Sequence, residues 1–434
     1  MSTKEGNDMN KIYEKSIGFR LMKKVVIALF SIFYRRITLF GTENIPSNEG
    51  PVIFAPVHQN ALMDALSVHC IFSGPIVFMM RGDAFSNHAM SRLLRYMKIM
   101  PIFRHKDGRP QLIQDKECIN TAAEGLTMGR CIALMPEGNQ KEQKRLRTLG
   151  KGIFRIGFQA QKELGEKAEV TIIPIGLDFE NYDRTGSRLI IQIGRPLYFS
   201  PLGKLYEQNQ AAAFCKMKEQ LTIALHRLII DIRNERSYKS YYLATLLATE
   251  EMIKKKKIKG TDEVRFAFRK MIAERFPETD DADVPVDLRP FVEQANKLLK
   301  LESDPDKAFV MNKGLSIFEL TRGVAYLPFI IPSILFNGLP YFLIRGWAFG
   351  KFKNNGFIAS ATFIGDTILF PLYWTILFVI FSTISDPMRS AFFFLLLSPL
   401  LAILSIRVLH LYEDIFLKMK FRLSNARSGR ASHL

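Results

Sequence analysis

The chain has 434 residues, enough for two or three domains, and a formal net charge of +18. It is basic and apolar together, with 48% hydrophobic residues and 35 phenylalanines. Nucleic-acid-binding proteins rarely combine these features, so the composition favours an anionic membrane surface as partner and argues against nucleic acid. The four cysteines lack C-x-x-C spacing and the seven histidines lack H-x-x-x-H spacing, so neither a disulfide framework nor a metal site is predicted.

Residues 1–40 are predicted to form an interfacial, membrane-binding helical region. A mainly apolar run of ten residues, 25–34, lies between the basic pairs Lys23-Lys24 and Arg35-Arg36. Ten residues are too few to cross about 30 Å of hydrocarbon, and no small-residue cleavage site follows. We therefore expect a helix in the plane of the membrane interface, with its basic ends toward the lipid headgroups.

The next segment carries a histidine and an aspartate on one strand-to-helix corner. Residues 52–64 read VIFAPVHQNALMD: a β-forming apolar run, a proline, a polar turn and a helix-forming run. This pattern places His58 in the loop and Asp64 about one turn into the helix, where the two side chains can converge. A carboxylate on one imidazole nitrogen leaves the other nitrogen as a base. For this pair alone, an ordinary loop histidine beside a helix-start aspartate is the alternative interpretation.

Three further apolar runs contain or end at a proline, a pattern typical of strands that deliver polar side chains to their ends. These are MKIMPIFR at 97–104, IALMPEG at 132–138 and VTIIPIG at 170–176. Helix-like segments alternate with them, so residues 41–200 are predicted to be an α/β domain with a central, mostly parallel sheet flanked by helices. Ligands of such sheets bind at strand ends, where His58, Arg104 and Glu137 are expected.

Four blocks in this order and spacing resemble the glycerolipid acyltransferase superfamily, that of the glycerol-3-phosphate and 1-acylglycerol-3-phosphate acyltransferases. They are His58 with Asp64, PIFR at 101–104, PEG at 136–138 and IPI at 173–175. Five residues separate His58 from Asp64 where the family usually has four, which is most similar to the glycerol-phosphate/dihydroxyacetone-phosphate branch with a C-terminal membrane region. The third block departs from the family, because Asn139 and Gln140 replace the usual small hydroxyl residue and arginine.

The resemblance implies roles that the residue chemistry also supports. His58 would be the general base that activates an acceptor hydroxyl, and Asp64 would orient its imidazole.

The same resemblance implies a group of substrate-binding residues near His58 and Asp64. Arg104 offers a bidentate fork for an acceptor phosphate, and Lys151, before a helix N-terminus, and Arg81 are further candidates. Glu137, beside Gly138 in the third block, would accept hydrogen bonds from acceptor hydroxyls or order the loop. No G-x-S-x-G, P-loop or G-x-G-x-x-G motif competes with this interpretation.

The function implied is that of a membrane-bound O-acyltransferase in phospholipid biosynthesis. It would move a fatty acyl group from acyl-CoA or acyl-carrier protein to glycerol-3-phosphate or dihydroxyacetone phosphate, without a cofactor. One alternative is a 1-acylglycerol-3-phosphate (lysophosphatidate) acyltransferase. An alternative of another class is a non-catalytic lipid-binding membrane protein on the same fold, which loss of His58, Asp64 or Glu137 would have favoured.

The remaining chain divides into two predicted regions. Residues 201–315 are charged and helical in pattern, and they indicate no chemistry. Residues 316–434 are predicted to be a membrane region with spans at about 356–384 and 390–412. Asp366, the charged residue of the first span, is expensive in lipid, so we expect it to face protein or water as a packing or functional site.

A proline-broken apolar segment, about 324–344, is predicted to be a re-entrant hairpin. Three full spans from a cytosolic catalytic domain would export the basic residues of 345–353 and 418–430, against the positive-inside rule. A hairpin and two spans keep both basic stretches in the cytosol. The sequence thus predicts a multi-pass membrane protein with its catalytic domain on the cytosolic face.

Overall fold

The computed structural model describes residues 12, 16–46, 50–85, 87–102, 109–352, 355–383, 386 and 398–431. The chain forms two compact units. The first comprises Met1–Ser31, Arg36–Glu180 and Arg188–Ile229, and the second comprises Ile32–Arg35, Asn181–Ser187 and Ile230–Leu434.

The first unit is built on an eight-stranded sheet in the order β1-β7-β6-β2-β5-β3-β4, with β8 paired to β6. The strands are β1 Arg36–Phe40, β2 Val52–Pro56, β3 Ile76–Arg81, β4 Ile99–Ile102, β5 Cys131–Ala133, β6 Thr171–Phe179, β7 Arg188–Ile193 and β8 Leu197–Tyr198. Only the pairings of β6 with β7 and β8 are antiparallel among those described. The predicted mostly parallel sheet flanked by helices is therefore confirmed.

Helices of the first unit connect and cover these strands. They are α1 Ile17–Phe33, α2 Ala61–Ile71, α3 His88–Tyr96, α4 Arg109–Thr127, α5 Gly152–Leu164, α6 Gly203–Gln208 and α7 Gln210–Leu228. All residues of β2 and β6 are buried, as expected for central strands covered on both faces, and their sequences are correspondingly apolar runs.

Two predicted boundaries differ from this arrangement. Residues 36–40, assigned to the interfacial region, form the edge strand β1, which pairs in parallel with β7. The division expected at residue 200 falls inside the first unit, because α7 packs against the sheet. A Cβ on Gly176 of β6 would lie 2.2 Å from the carbonyl oxygen of Leu228, so only glycine permits this close approach.

Helix α1 is anchored by one buried lysine. Lys23 Nζ donates to the carbonyl oxygens of Phe72 at 2.8 Å, Ser73 at 3.2 Å and Gly74 at 2.7 Å, directly after α2 ends. These carbonyls belong to the C-cap of α2 and the two residues that follow it, so the ammonium group satisfies backbone acceptors of the connection between α2 and β3. Burial lowers the pKa of Lys23 to about 8. The membrane contact expected of residues 1–40 stays a prediction.

The second unit is helical. Its helices are α8 Tyr238–Lys256, α9 Asp262–Ala273, α10 Arg289–Leu301, α11 Pro305–Asn312, α12 Ile317–Lys351, α13 Asn355–Ser382 and α14 Ser398–Ala431. Ile344, Phe370 and Ala402 form a buried cluster that joins α12, α13 and α14. Tyr242 in α8 donates from its hydroxyl to Asp306 of α11 at 2.9 Å.

One helix in the described part of the chain, Gly356–Ser382, is long and apolar enough to cross a membrane, and it coincides with the first predicted span. A second candidate is the bent pair Pro305–Asn312 and Ile317–Pro332, whose axes differ by 105°. Of the predicted span 390–412, residues 390–397 lie outside the described residues and the remainder begins α14.

The segment predicted to be a re-entrant hairpin lies within α12, which is helical throughout despite Pro328, Pro332 and Pro340. No non-helical turn interrupts α12, so the segment 324–344 does not reverse direction through a loop. The two ends of α12 nevertheless approach the same turns of α14. Gly323 accepts from the Tyr412 hydroxyl at 2.7 Å, whereas Arg345 lines one cavity together with Glu413 and Asp414. Prolines inside a helix are the usual site of a kink that would bring its ends closer.

Candidate functional site

The centre of the site is the pair His58 and Asp64. His58 follows β2, and Asp64 lies in the first turn of α2. Their side chains meet with Nδ1 of His58 2.9 Å from Oδ2 of Asp64. The Asp64 side chain is fully buried, whereas that of His58 is 19% exposed. With its proton on Nδ1 donated to the carboxylate, the imidazole keeps a lone pair on Nε2 for use as a base.

Asp64 is held by the backbone as well. Its Oδ2 accepts from the N–H groups of Gln59 at 2.9 Å and Asn60 at 2.7 Å, so the turn that carries His58 wraps around the carboxylate. Burial raises the pKa of Asp64, and the hydrogen bonds from His58, Asn60 and Gln59 act in the opposite direction. Ala61 closes the turn with φ of +45°, a left-handed conformation that non-glycine residues rarely adopt.

Glu137 contacts the backbone of His58. Its side chain is 1% exposed, and its Oε2 accepts from the His58 N–H at 2.8 Å. Its Oε1 accepts from the N–H of Arg147 at 2.8 Å. Of the two roles that the sequence left open for Glu137, these contacts are those of a residue that orders the loop. Burial raises its pKa, and the bonds from Arg147 and His58 oppose that shift.

The loop between β5 and α5, residues 134–151, is fastened at two further points. Lys144 is buried and donates to the Asp178 carboxylate and the Phe179 carbonyl at the end of β6. The Gly150 N–H donates to the Pro136 carbonyl at 2.7 Å. Gly138 has φ of +70°, where glycine is favoured, so its place in the third block has a backbone reason.

The predicted phosphate-binding residues are placed unequally by the structure. Lys151 is exposed at the N-cap of α5, and the neighbouring Gly152 lies beside Ile102 at the end of β4. Arg104 lies outside the described residues, two positions past β4. Arg81 ends β3, but its side chain is outside the described part. Because β2, β3, β4 and β5 are mutually parallel, their ends share one sheet edge.

Arg147 is the residue of this site that sequence reasoning missed. Its Nη2 donates to the His58 carbonyl at 3.0 Å and to Oε2 of Glu137 at 3.3 Å. In the sequence it is one of several basic residues in a polar loop, ten positions after Glu137, and no motif distinguishes it. Within the described residues, no group of three or more His, Cys, Asp and Glu side chains could hold a metal ion.

Comparison with known proteins gives a family match over the same region. Residues 36–178, about a third of the chain, match the family model described as Acyltransferase. A curated relative, the chloroplastic 1-acyl-sn-glycerol-3-phosphate acyltransferase LPAT1 of Arabidopsis thaliana, is 27% identical over 153 residues. That alignment covers 35% of this chain and 38% of the relative's length.

Among solved structures, the chain is similar to the 1-acyl-sn-glycerophosphate acyltransferase PlsC from Thermotoga maritima. The TM-score is 0.34 at 15% sequence identity, and the alignment covers 52% of this chain and 81% of that one.

Proposed function

We propose that this chain is a membrane-bound O-acyltransferase of phospholipid biosynthesis, because residues 36–178 match the Acyltransferase family model and part of a 1-acyl-sn-glycerol-3-phosphate acyltransferase. It transfers a fatty acyl group from acyl-CoA or acyl-carrier protein to glycerol-3-phosphate or dihydroxyacetone phosphate. The observation that carries the proposal is the bond of 2.9 Å between a half-buried His58 and a fully buried Asp64 at the end of a central strand.

The proposed chemistry uses one base. Nε2 of His58 takes the proton of the acceptor hydroxyl as its oxygen attacks the thioester carbonyl, and Asp64 stabilises the imidazolium that forms. The tetrahedral intermediate then collapses with cleavage of the carbon–sulfur bond. The thiolate leaves and takes the proton from His58, so the products are the ester and the free thiol, and the enzyme returns to its starting state.

The acceptor's phosphate is assigned to cations at the strand-end edge that carries His58. Arg104 is the first candidate, followed by Lys151 at the start of α5 and by Arg81 at the end of β3. A guanidinium group can bind a phosphate through two parallel hydrogen bonds, whereas an ammonium group acts as a point charge.

A second candidate acceptor is 1-acylglycerol-3-phosphate. The curated relative that matches residues of this domain carries that substrate in its name. The two acceptors share the phosphate and the attacking hydroxyl, and they differ in whether an acyl chain is already attached. They therefore call for the same catalytic pair and differ in the pocket beside it.

The experiment measures thiol release from acyl-CoA and acyl-carrier protein by purified protein in detergent or liposomes. Glycerol-3-phosphate, dihydroxyacetone phosphate and 1-acylglycerol-3-phosphate are offered in parallel. His58→Ala should lower the rate at least about 100-fold, the usual scale for loss of a general base. His88→Ala, which changes an exposed histidine on α3, is the matched control. Thiol release no faster than that of His58→Ala with every acceptor would favour the non-catalytic lipid-binding alternative.

A further inference from the structure

Arg147 and Glu137 contact the two backbone polar groups of His58, and the His58 carbonyl also accepts from the Lys141 N–H at 3.4 Å. The His58 N–H donates to Glu137 Oε2 at 2.8 Å, and the His58 carbonyl accepts from Arg147 Nη2 at 3.0 Å. We call these two backbone contacts of His58, one from Glu137 and one from Arg147, the bracket. We propose that Arg147 is a positioning residue for acyl transfer, because the bracket directs Nε2 of His58 at the acceptor hydroxyl. The inference rests on the proposed role of His58 as the base.

The bracket matters because His58 lies in a loop. No ladder of strand or helix hydrogen bonds fixes its backbone, although the preceding Val57 N–H still donates to the Ile175 carbonyl at 3.0 Å. The bond from Nδ1 to Asp64 fixes one edge of the imidazole, and the contacts of Glu137 and Arg147 fix the backbone from which the side chain extends, so both are needed to set the direction of Nε2. A misplacement of about 1 Å at a reacting group can cost on the order of 100-fold in rate.

The two members of the bracket depend on each other. The Glu137 carboxylate is 1% exposed, and an isolated buried carboxylate is costly unless a cation and hydrogen bonds compensate for it. Arg147 supplies both, through its guanidinium at 3.3 Å and through its own backbone N–H at 2.8 Å. The guanidinium favours the carboxylate form of Glu137 and so opposes the rise in pKa that burial causes, and each oxygen of Glu137 accepts a backbone hydrogen bond.

The guanidinium that contacts Glu137 comes from outside the third block. Gln140 occupies the position where the resembling family usually has arginine. In this chain a guanidinium group reaches the block's glutamate from Arg147, seven residues farther on. The loop folds back to allow this, because Gly150 bonds to Pro136 and Lys144 bonds to Asp178.

The competing role for Arg147 is contact with the acceptor's phosphate, and steady-state kinetics separate the two. A positioning residue acts on the chemical step, so its loss lowers kcat. A phosphate ligand acts on binding, so its loss raises KM for the phosphorylated acceptor.

The test compares Arg147→Met and Arg147→Lys with the native protein and with Arg195→Met, which changes an exposed arginine between β7 and β8. For Arg147→Met we expect kcat to fall about 10- to 100-fold, with KM for donor and acceptor within about twofold of native. Arg147→Lys retains the charge but not the fork, so its kcat should be intermediate. Arg195→Met should match the native protein. Thermal unfolding of each variant is measured alongside, and if Arg147→Met fails to fold, Arg147→Lys carries the comparison.

Unchanged kcat in both Arg147 variants, or a rise in acceptor KM alone, would overturn the positioning role. Neither result touches the proposed base, which is tested separately by His58→Ala. Conversely, native activity in His58→Ala would reject His58 as the base, and any effect of the Arg147 variants on kcat would then need another explanation.

Discussion

At the scale of single residues, the proposed phosphorylated acceptor would require a cation that the His58–Asp64 pair does not provide. We expect Arg104→Ala to raise the apparent KM for the phosphorylated acceptor while the KM for the acyl donor stays nearly constant. Loss of one charge-assisted contact to a dianion costs on the order of 1.5–3 kcal/mol, or about 10- to 100-fold. Initial rates over a matrix of donor and acceptor concentrations give both constants.

The control for Arg104 is Arg195→Met, which removes a similar charge from the surface of the same unit. A rise in donor KM instead would place Arg104 on the thioester side of the pocket. The pattern expected for Arg104, a change in KM, is the opposite of that expected for Arg147, a change in kcat. The two arginines can therefore be assigned from one set of measurements.

The residues of the site were predictable to different degrees. His58 and Asp64 could be paired from sequence because the strand, proline, turn and helix signals lie within thirteen residues. Arg147 could not, because its contact with His58 spans 89 positions and depends on how a loop folds back. The role of Glu137 was open for the same reason: whether a carboxylate meets a ligand or a backbone N–H depends on tertiary contacts.

At the scale of elements, helix α2 joins the corner that carries His58 and Asp64 to a half-buried histidine at its other end. His69 lies in the last turn, its ring 4.7 Å from that of Phe78, and burial, reinforced by the charge of Lys23, lowers its pKa to about 3. In the unfolded chain the same histidine titrates near 6.5. Between these values the unfolded state binds more protons, so this contribution to stability is complete above pH 6.5 and is lost as pH falls toward 3.

We therefore expect the native protein to lose about 2 kcal/mol of stability from this one group between pH 7 and pH 5. His69→Phe keeps an aromatic ring against Phe78 without the titrating nitrogen, so its thermal midpoint should fall less over the same interval. His88→Phe on the exposed face of α3 is the control and should follow the native protein. Equal acid sensitivity of the native protein and His69→Phe would show that His69 takes up a proton in the folded state.

The strands also show which parts of the sheet can be predicted from sequence patterns. Four predicted apolar runs overlap the strands β2, β4, β5 and β6, and the central strands among them are continuously apolar because both of their faces are covered. Strand β1 was missed because it is partly exposed at the sheet edge, and its basic start resembles the flank of an interfacial helix. The antiparallel return through β7 follows from tertiary pairing that local patterns do not encode.

In the helical unit, the charge of Asp366 has a partner. Arg345 of α12 approaches Asp366 of α13 at 3.3 and 3.4 Å, donates to Thr185 Oγ1 at 3.1 Å and stacks on Tyr341 at 3.7 Å. The sequence predicted that Asp366 faces protein or water, but it assigned Arg345 to a connecting loop. The pairing follows from the antiparallel packing of the two helices, which sequence position alone does not provide.

A double-mutant cycle tests this pair. Arg345→Met leaves the carboxylate of Asp366 without its cation. The two side chains are 14% and 18% exposed, so the loss should be smaller than the roughly 3–5 kcal/mol typical of a fully buried pair. Changing both residues, Arg345→Met with Asp366→Leu, removes both charges and should restore much of the thermal stability lost in either single variant. Unfolding in detergent micelles reports the difference. Additive losses in the double variant would mean that the two side chains do not stabilise each other.

At the scale of the whole molecule, the distribution of basic residues predicts the membrane topology. Lysine and arginine near membrane helices normally stay on the cytosolic side, and the 345–353 and 418–430 stretches together carry eight of them. Helix Gly356–Ser382 is long and apolar enough to cross a membrane. If it crosses once and the chain returns before 418, both basic stretches remain on the side of the acyltransferase domain.

Because α12 is a continuous helix, it would have to enter and leave the membrane on the same side by a kink and not by a loop. The prediction that both basic stretches lie on one side stays the same. Pro328, Pro332 and Pro340 leave carbonyl groups within α12 without their usual N–H partners. Such backbone is tolerated at membrane depth only where protein or a water-filled cavity covers it. A kinked α12 that enters the membrane and leaves on the same side meets this condition when α13 and α14 pack against it.

Cysteine accessibility decides the topology. Single cysteines replace Asn355, Ser385 and Ser428 in turn, in a background from which the four native cysteines are removed, and intact cells are treated with a membrane-impermeant thiol reagent. We expect labelling at position 385 only, because the connection after the candidate span Gly356–Ser382 is the segment predicted to emerge. Permeabilised cells should label at all three positions, which controls for reactivity. Labelling of intact cells at 355 and 428 but not at 385 would establish three full spans, with α12 crossing the membrane despite its prolines.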